Sequence, residues 1–151
     1  MTPHPIELAF VENFIVPAKR ERWRTLLAHP KRRARVTNRL AHDLQSDLAR
    51  DRVVQIPASL HDADAIVRLV AAITDSPECR VIAEGSLDQR GLRCAEAIDA
   101  VLGMGRGAVV CVHPGSVAYY EPERDPSWRV ILAADPHARR VLNAAISEHV
   151  R

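Results

Sequence analysis

Acids, hydroxyls and imidazoles fall just after three short apolar runs in this 151-residue chain. The runs 53–56, 81–83 and 108–112 each read as a β-strand. Behind the first stand Ser59 and His61, behind the second Glu84, Ser86 and Asp88, and behind the third His113 and Ser116. Parallel strands would bring these three groups to one sheet edge, where the ligands of open α/β sheets collect. Glu84 directly follows a strand beside Gly85, and His113 opens a turn. A neutral imidazole beside a carboxylate acts as a general base near neutral pH. Glu84 and His113 are therefore the candidate catalytic pair. Helix capping is the competing explanation for Ser59, Ser86 and Asp88.

No stronger catalytic pattern accompanies that pair. Cys111 and His113 alternate onto one strand face, but a metal site needs two more ligands, so no metal and no cofactor are expected. The three cysteines, Cys79, Cys94 and Cys111, are odd in number and contain no CxxC pair. They read as small buried hydrophobes in a reducing compartment rather than as a disulfide framework. All six glycines lie between Gly85 and Gly115. The segment from Gly103 to Gly107 follows a helical pattern and enters a strand, the reverse of a phosphate-binding loop, so it reads as a helix C-cap and turn. Nucleophile-elbow, zincin and EF-hand patterns are absent.

The second chemistry-bearing group is cationic. Nine of the 21 Lys and Arg residues lie between Lys19 and His42, where Glu21 is the one acid. Residues 1–42 hold nine Lys/Arg against three Asp/Glu, a charge of +6, and residues 43–151 hold 12 against 16, a charge of −4. A clustered positive field attracts polyanions or acidic protein surfaces whatever fold carries it. Arg20, Arg24, Arg32, Arg35 and Arg39 are the candidate binding residues. Arg outnumbers Lys 19 to two and Ala is abundant, a bacterial-like composition. The clustering, not Arg itself, is thus the signal. Asp43, Asp47 and Asp51 lie just downstream, and Asp43 is four residues from Arg39, the spacing of a helical ion pair. Tyr119 and Tyr120, next to Glu121 and Glu123, form a second candidate binding site. Strand alternation puts one of them in the core and the other outside, facing a partner.

These residues need elements to hold them. Apolar recurrence predicts helices over 6–16, 18–28 and 31–49, the last with Val36, Leu40, Leu44 and Leu48 on one stripe and Arg32, Arg35 and Arg39 on an adjoining one. Capping boxes at Ser59 and Ser86 open helices running to about 73 and 102. Strands at 117–120 and 130–133 follow, the first joined to 108–112 by a turn centred on Pro114-Gly115. Asp135 and Pro136 start the last helix. Alternating strands and helices predict parallel pairing among the first three strands, with antiparallel strands added by the hairpin. The fold class expected is mixed α/β: N-terminal helices, a βαβαβββ core with a mixed parallel/antiparallel sheet, and a C-terminal helix. Near-continuous apolar strands imply that the sheet is covered on both faces.

The length suits one domain, residues 1–151, with a basic helical head (1–50) packed on an α/β core (51–151). No apolar run approaches a membrane span, and the first residues lack the features of a secretory signal, so a cytoplasmic protein without membrane partners is expected. The leading functional expectation is a protein-interaction or regulatory domain whose basic head meets an acidic protein surface, a second copy in a homodimer included. Nucleic-acid binding through residues 18–42 and a small enzyme built around Glu84 and His113 are the alternatives.

Overall fold

Two prolines stand at helix starts, where a missing N–H costs nothing. They open α1 (Pro5–Phe14) and α2 (Pro17–Ala28). The computed structural model describes residues 2–42, 44–76 and 78–150. The long third helix expected over 31–49 starts later than expected. Residues 31–33 form a turn, α3 covers Ala34–His42, and α4 covers Leu44–Asp47. Asp43, expected to pair with Arg39, lies outside the described residues. The apolar stripe is present, because Val36, Leu40, Leu44 and Leu48 are all buried. Each buried side chain of that size contributes roughly 1.5–3 kcal/mol, whereas an exposed ion pair contributes about 0–1 kcal/mol. Packing, not charge, sets where this segment lies.

The rest of the chain runs through β1 (Val53–Gln55), α5 (Ala63–Ala71), β2 (Glu78–Ile82), β3 (Gly91–Arg93), α6 (Cys94–Val101), β4 (Ala108–Val112), β5 (Val117–Glu121), β6 (Val130–Ala133) and α7 (Pro136–Val150). The strands form one sheet in the order β1-β6-β5-β4-β2-β3, and every neighbouring pair is antiparallel. The mixed parallel/antiparallel sheet is thereby corrected. The cause is β3, a three-residue strand inside the span expected to be helical from Ser86. It pairs back on β2, with Cys79 opposite Leu92, and reverses the chain before α6 begins. The helix therefore connects β3 to β4, two strands of like direction that flank β2. Ser86 lies in a 3-10 turn, and Arg93 is the N-cap of α6. Likewise α5 is capped by Asp62, whose carboxylate accepts from the Ala65 N–H, while Ser59 sits in a 3-10 turn before it. Asp135 caps α7 by accepting from the Ala138 N–H.

Alternation along the strands divides the apolar side chains between two cores. Val109, Cys111, Ala118, Tyr120, Val130 and Leu132 face α1–α4, while Val110, Val112, Val117, Tyr119 and Ile131 face α5–α7. The molecule is thus a three-layer sandwich with helices on both faces. The β4–β5 turn also differs from expectation. The Gly115 N–H donates to the Val112 carbonyl (2.8 Å) and the His113–Pro114 peptide is cis, so His113-Pro114 is the central pair. Gly107 marks the closest approach between layers. A Cβ there would stand 2.7 Å from the Leu40 carbonyl carbon and oxygen, so only glycine lets α3 lie against the start of β4.

Candidate functional site

The antiparallel sheet separates the two candidate catalytic residues. Glu84 follows β2 and His113 follows β4, and these neighbouring strands run in opposite directions. The His113 N–H donates to the Glu78 carbonyl (2.9 Å), at the start of β2. Glu84 lies six residues further along, about 20 Å away at roughly 3.4 Å per residue. Both side chains are exposed, at opposite sheet edges. No proton passes directly between them. Ser59 and His61 share Glu84's edge but lie behind β1, at the other side of the sheet, and the His61 ring is bonded to the Ile56 carbonyl (2.7 Å). Among the described residues, no group of three or more His, Cys, Asp or Glu is arranged to hold a metal ion.

Tyr119 and Tyr120 do lie on opposite faces, yet neither is available to a partner, which corrects their reading as a binding site. Helices cover both faces, and the two rings are 0% and 1% exposed. The Tyr120 hydroxyl donates to the Leu40 carbonyl (2.7 Å), pinning α3 to the sheet. Burial, with the nearby charges of Glu123 and Glu121, pushes its pKa up to about 12. The Tyr119 hydroxyl donates to Glu121 (2.5 Å), a carboxylate that also accepts from Arg129 (3.1 Å) and from the Gly103 N–H (3.1 Å). Burial, then this bond, raises Tyr119 well above the ordinary phenol range. Gly103, at φ +75°, is thus tied down just past Leu102, the C-cap of α6.

The basic helices divide into engaged and exposed cations. Arg20 Nε donates to the Ile15 carbonyl (2.9 Å), and Arg24 pairs with Glu12 (2.7 Å) at the surface. Arg39, expected on an exposed stripe, is buried: its Nε and Nη2 donate to Asp47 Oδ2 (2.8 and 2.5 Å), which also accepts from the Trp23 indole (2.9 Å). It holds α2, α3 and α4 together and is no surface contact. Five others, Lys19, Arg22, Lys31, Arg32 and Arg35, are exposed and form no ion pair with a described residue. Four of the five lie within residues 22–35, in α2, the turn after it and the start of α3.

One cation escaped the sequence reading altogether. Arg33 is 6% exposed and uses all five of its N–H donors. Two reach the Glu7 carboxylate (2.8 and 2.5 Å), two reach Asp88 (2.5 and 3.0 Å), and one reaches the Leu27 carbonyl (3.3 Å). Arg80 adds a bond from Nε to Glu7 (3.1 Å), so two cations balance two carboxylates. Burial alone would lower the Arg33 pKa, but its bonds to Glu7 and Asp88 outweigh that and hold it above the usual range. The network joins α1, the α2–α3 turn, β2 and the loop after β2. The legible signal was Glu7, an acid that shares the apolar face of α1 with Phe10, Val11 and Phe14.

Geometry and sequence together define a three-layer α/β/α protein with a fully antiparallel sheet and an exposed cationic face on one helical layer. Comparison with protein-family models, curated proteins and solved structures returned no match. Among the described residues, no helix is long and apolar enough to cross a membrane.

Proposed function

We propose that this chain is a protein-interaction domain that docks an acidic polypeptide surface through Lys19, Arg22, Lys31, Arg32 and Arg35. The observation that carries the reading is that these five cations stay exposed and unpaired among the described residues while their four neighbours are bonded to other groups of the same chain. A rigid helical layer holds them, so less order is lost on docking than with a disordered basic tail. Nucleic acid is the less favoured polyanion. Five of the six aromatic side chains are buried and Trp128 is half-buried, which leaves no exposed ring on which bases could stack. The separation of Glu84 from His113 weighs against the enzyme reading. Three free thiols suit a reducing, cytoplasmic setting.

A second copy of the chain has a surface of the right sign. Asp64, Glu96 and Asp99 line a cleft of about 640 Å³ between α5 and α6, with Arg68 the one cation there. That cleft and the cationic face are on opposite sides of the sheet. Contact between copies would therefore be head-to-tail and would build rings or chains rather than a closed two-fold dimer.

The test is binding to poly-L-glutamate at low and at physiological salt, with a single-stranded and a duplex oligonucleotide as competitors. The triple variant Arg22→Glu, Arg32→Glu and Arg35→Glu touches only exposed side chains and should keep the wild-type circular dichroism spectrum. The reading expects salt-sensitive poly-glutamate binding that the variant loses at least tenfold. Tighter binding to either oligonucleotide than to poly-glutamate would favour a nucleic-acid module instead. Sedimentation velocity of the protein alone, at both salt concentrations, reports whether a second copy is the acidic partner.

A further inference from the structure

Two of the three cysteines meet on the opposite side of the sheet from the basic helices. Cys79 on β2 pairs with Leu92 of β3, and Cys94, two residues beyond Leu92, therefore falls on the same face at the first position of α6. Both side chains belong to the core beneath α5–α7, close enough that each thiol shifts the ionisation of the other. Their surroundings are unequal. Cys79 is fully buried, while Cys94 is 9% exposed and lines a cavity of about 240 Å³ with Val67, Val70, Thr74 and Arg93. A small oxidant thus has a route to Cys94 and none directly to Cys79.

The chemistry is unequal in the same sense. The neighbouring Cys79 thiol holds the Cys94 thiol below its ordinary pKa, against the effect of burial, and the first turn of a helix also favours a thiolate. The neighbouring Cys94 thiol, then burial, pushes Cys79 up. Cys111 shares neither feature. It faces the other core, beneath α1–α4, and burial pushes it well above the thiol range.

We propose that Cys79 and Cys94 are a peroxide-oxidised dithiol pair, with Cys94 the attacking sulfur and Cys79 the resolving one. The Cys94 thiolate attacks one oxygen of hydrogen peroxide, the O–O bond breaks, and with one proton taken up the products are a Cys94 sulfenic acid and water. The Cys79 sulfur then attacks the Cys94 sulfur and expels the hydroxyl as a second water. Two thiols lose two electrons, one peroxide gains them, and one S–S bond forms. The cross-link joins β2 to the first turn of α6, next to Ala95 and Glu96 of the acidic cleft.

The test exposes the folded full chain to hydrogen peroxide, blocks residual thiols under denaturing conditions, and maps the peptides by mass. Trypsin cuts after Arg68, Arg80, Arg93 and Arg106 place the three cysteines on separate peptides. The expected result is loss of two of the three thiols, a Cys79–Cys94 linked peptide, an unmodified Cys111 peptide, and full reversal by dithiothreitol. Cys111→Ser should lose the same two, and Cys79→Ser should stop at an oxidised Cys94 with no linked peptide. If these variants do not fold, the wild-type map decides alone. Three surviving thiols, a link involving Cys111, or a link between two chains would overturn the proposal.

Discussion

Arg32 and Arg33 are adjacent in the chain and opposite in fate. Arg32 projects into solvent, while Arg33 turns inward and spends every donor on Glu7, Asp88 and Leu27. Removing a buried charge strands its partners, so Arg33→Met should destabilise the protein by about 3–5 kcal/mol in urea unfolding. Arg32→Met should change stability by less than about 0.5 kcal/mol, as exposed substitutions usually do. Tyr120 supplies a pH-dependent counterpart. Its folded pKa is raised to about 12, against about 10 for a free phenol, so the folded state holds the proton longer than the unfolded one. The stabilisation is whole below pH 10 and is lost as pH rises through 12, a change of roughly 2–3 kcal/mol. Urea midpoints taken from pH 9 to 12 should fall, and Tyr120→Phe should remove the Tyr120 share of the fall while leaving that of Tyr119. Residue type did not separate these fates in advance. Arg33, Arg39 and Arg32 are alike as letters, and only the acids supplied by α1, α4 and the loop after β2 distinguish them.

At the scale of elements, the helical layer was largely legible and the sheet pairing was not. Pro5, Pro17, the apolar stripe from Val36 to Leu48 and the Asp135-Pro136 start all act locally, through capping, fixed φ and 3.6-residue periodicity. Strand direction is a long-range property, and here it turned on three residues. Gly91-Leu92-Arg93 carries one apolar side chain and is too short to declare itself by alternation, yet its pairing with β2 reverses the chain and makes β4 antiparallel to β2. With that strand unseen, Glu84 and His113 fall on one edge. With it present, they stand at opposite ends. The close contact at Gly107 is an element-scale constraint of the same kind, since it lets α3 rest on β4. Gly107→Ala forces Leu40 away and should cost about 1–3 kcal/mol, as overpacking does. It should also weaken the Tyr120–Leu40 bond, so Tyr120→Phe should cost less stability in the Gly107→Ala background than in the wild type.

Across the whole molecule, the sheet acts as a partition. Cations dominate the outer surface of the α1–α4 layer, and the α5–α6 cleft on the other side carries Asp64, Glu96 and Asp99. Val150 is the one large hydrophobic exposed among the described residues. No broad apolar patch therefore competes with charge for partners, and association should be fast, salt-sensitive and modest in affinity. The charge asymmetry between the two ends of the chain was plain from composition. What composition could not supply was the subset that stays free, because Arg39 and Arg33 are consumed by folding and Arg24 by a surface pair. The most direct measurement is the affinity for poly-L-glutamate as a function of salt, for wild type and for the Arg22→Glu, Arg32→Glu, Arg35→Glu variant. The account predicts that wild-type affinity falls steeply as salt rises and that the variant loses at least tenfold at low salt. An affinity that is the same in both proteins would contradict it.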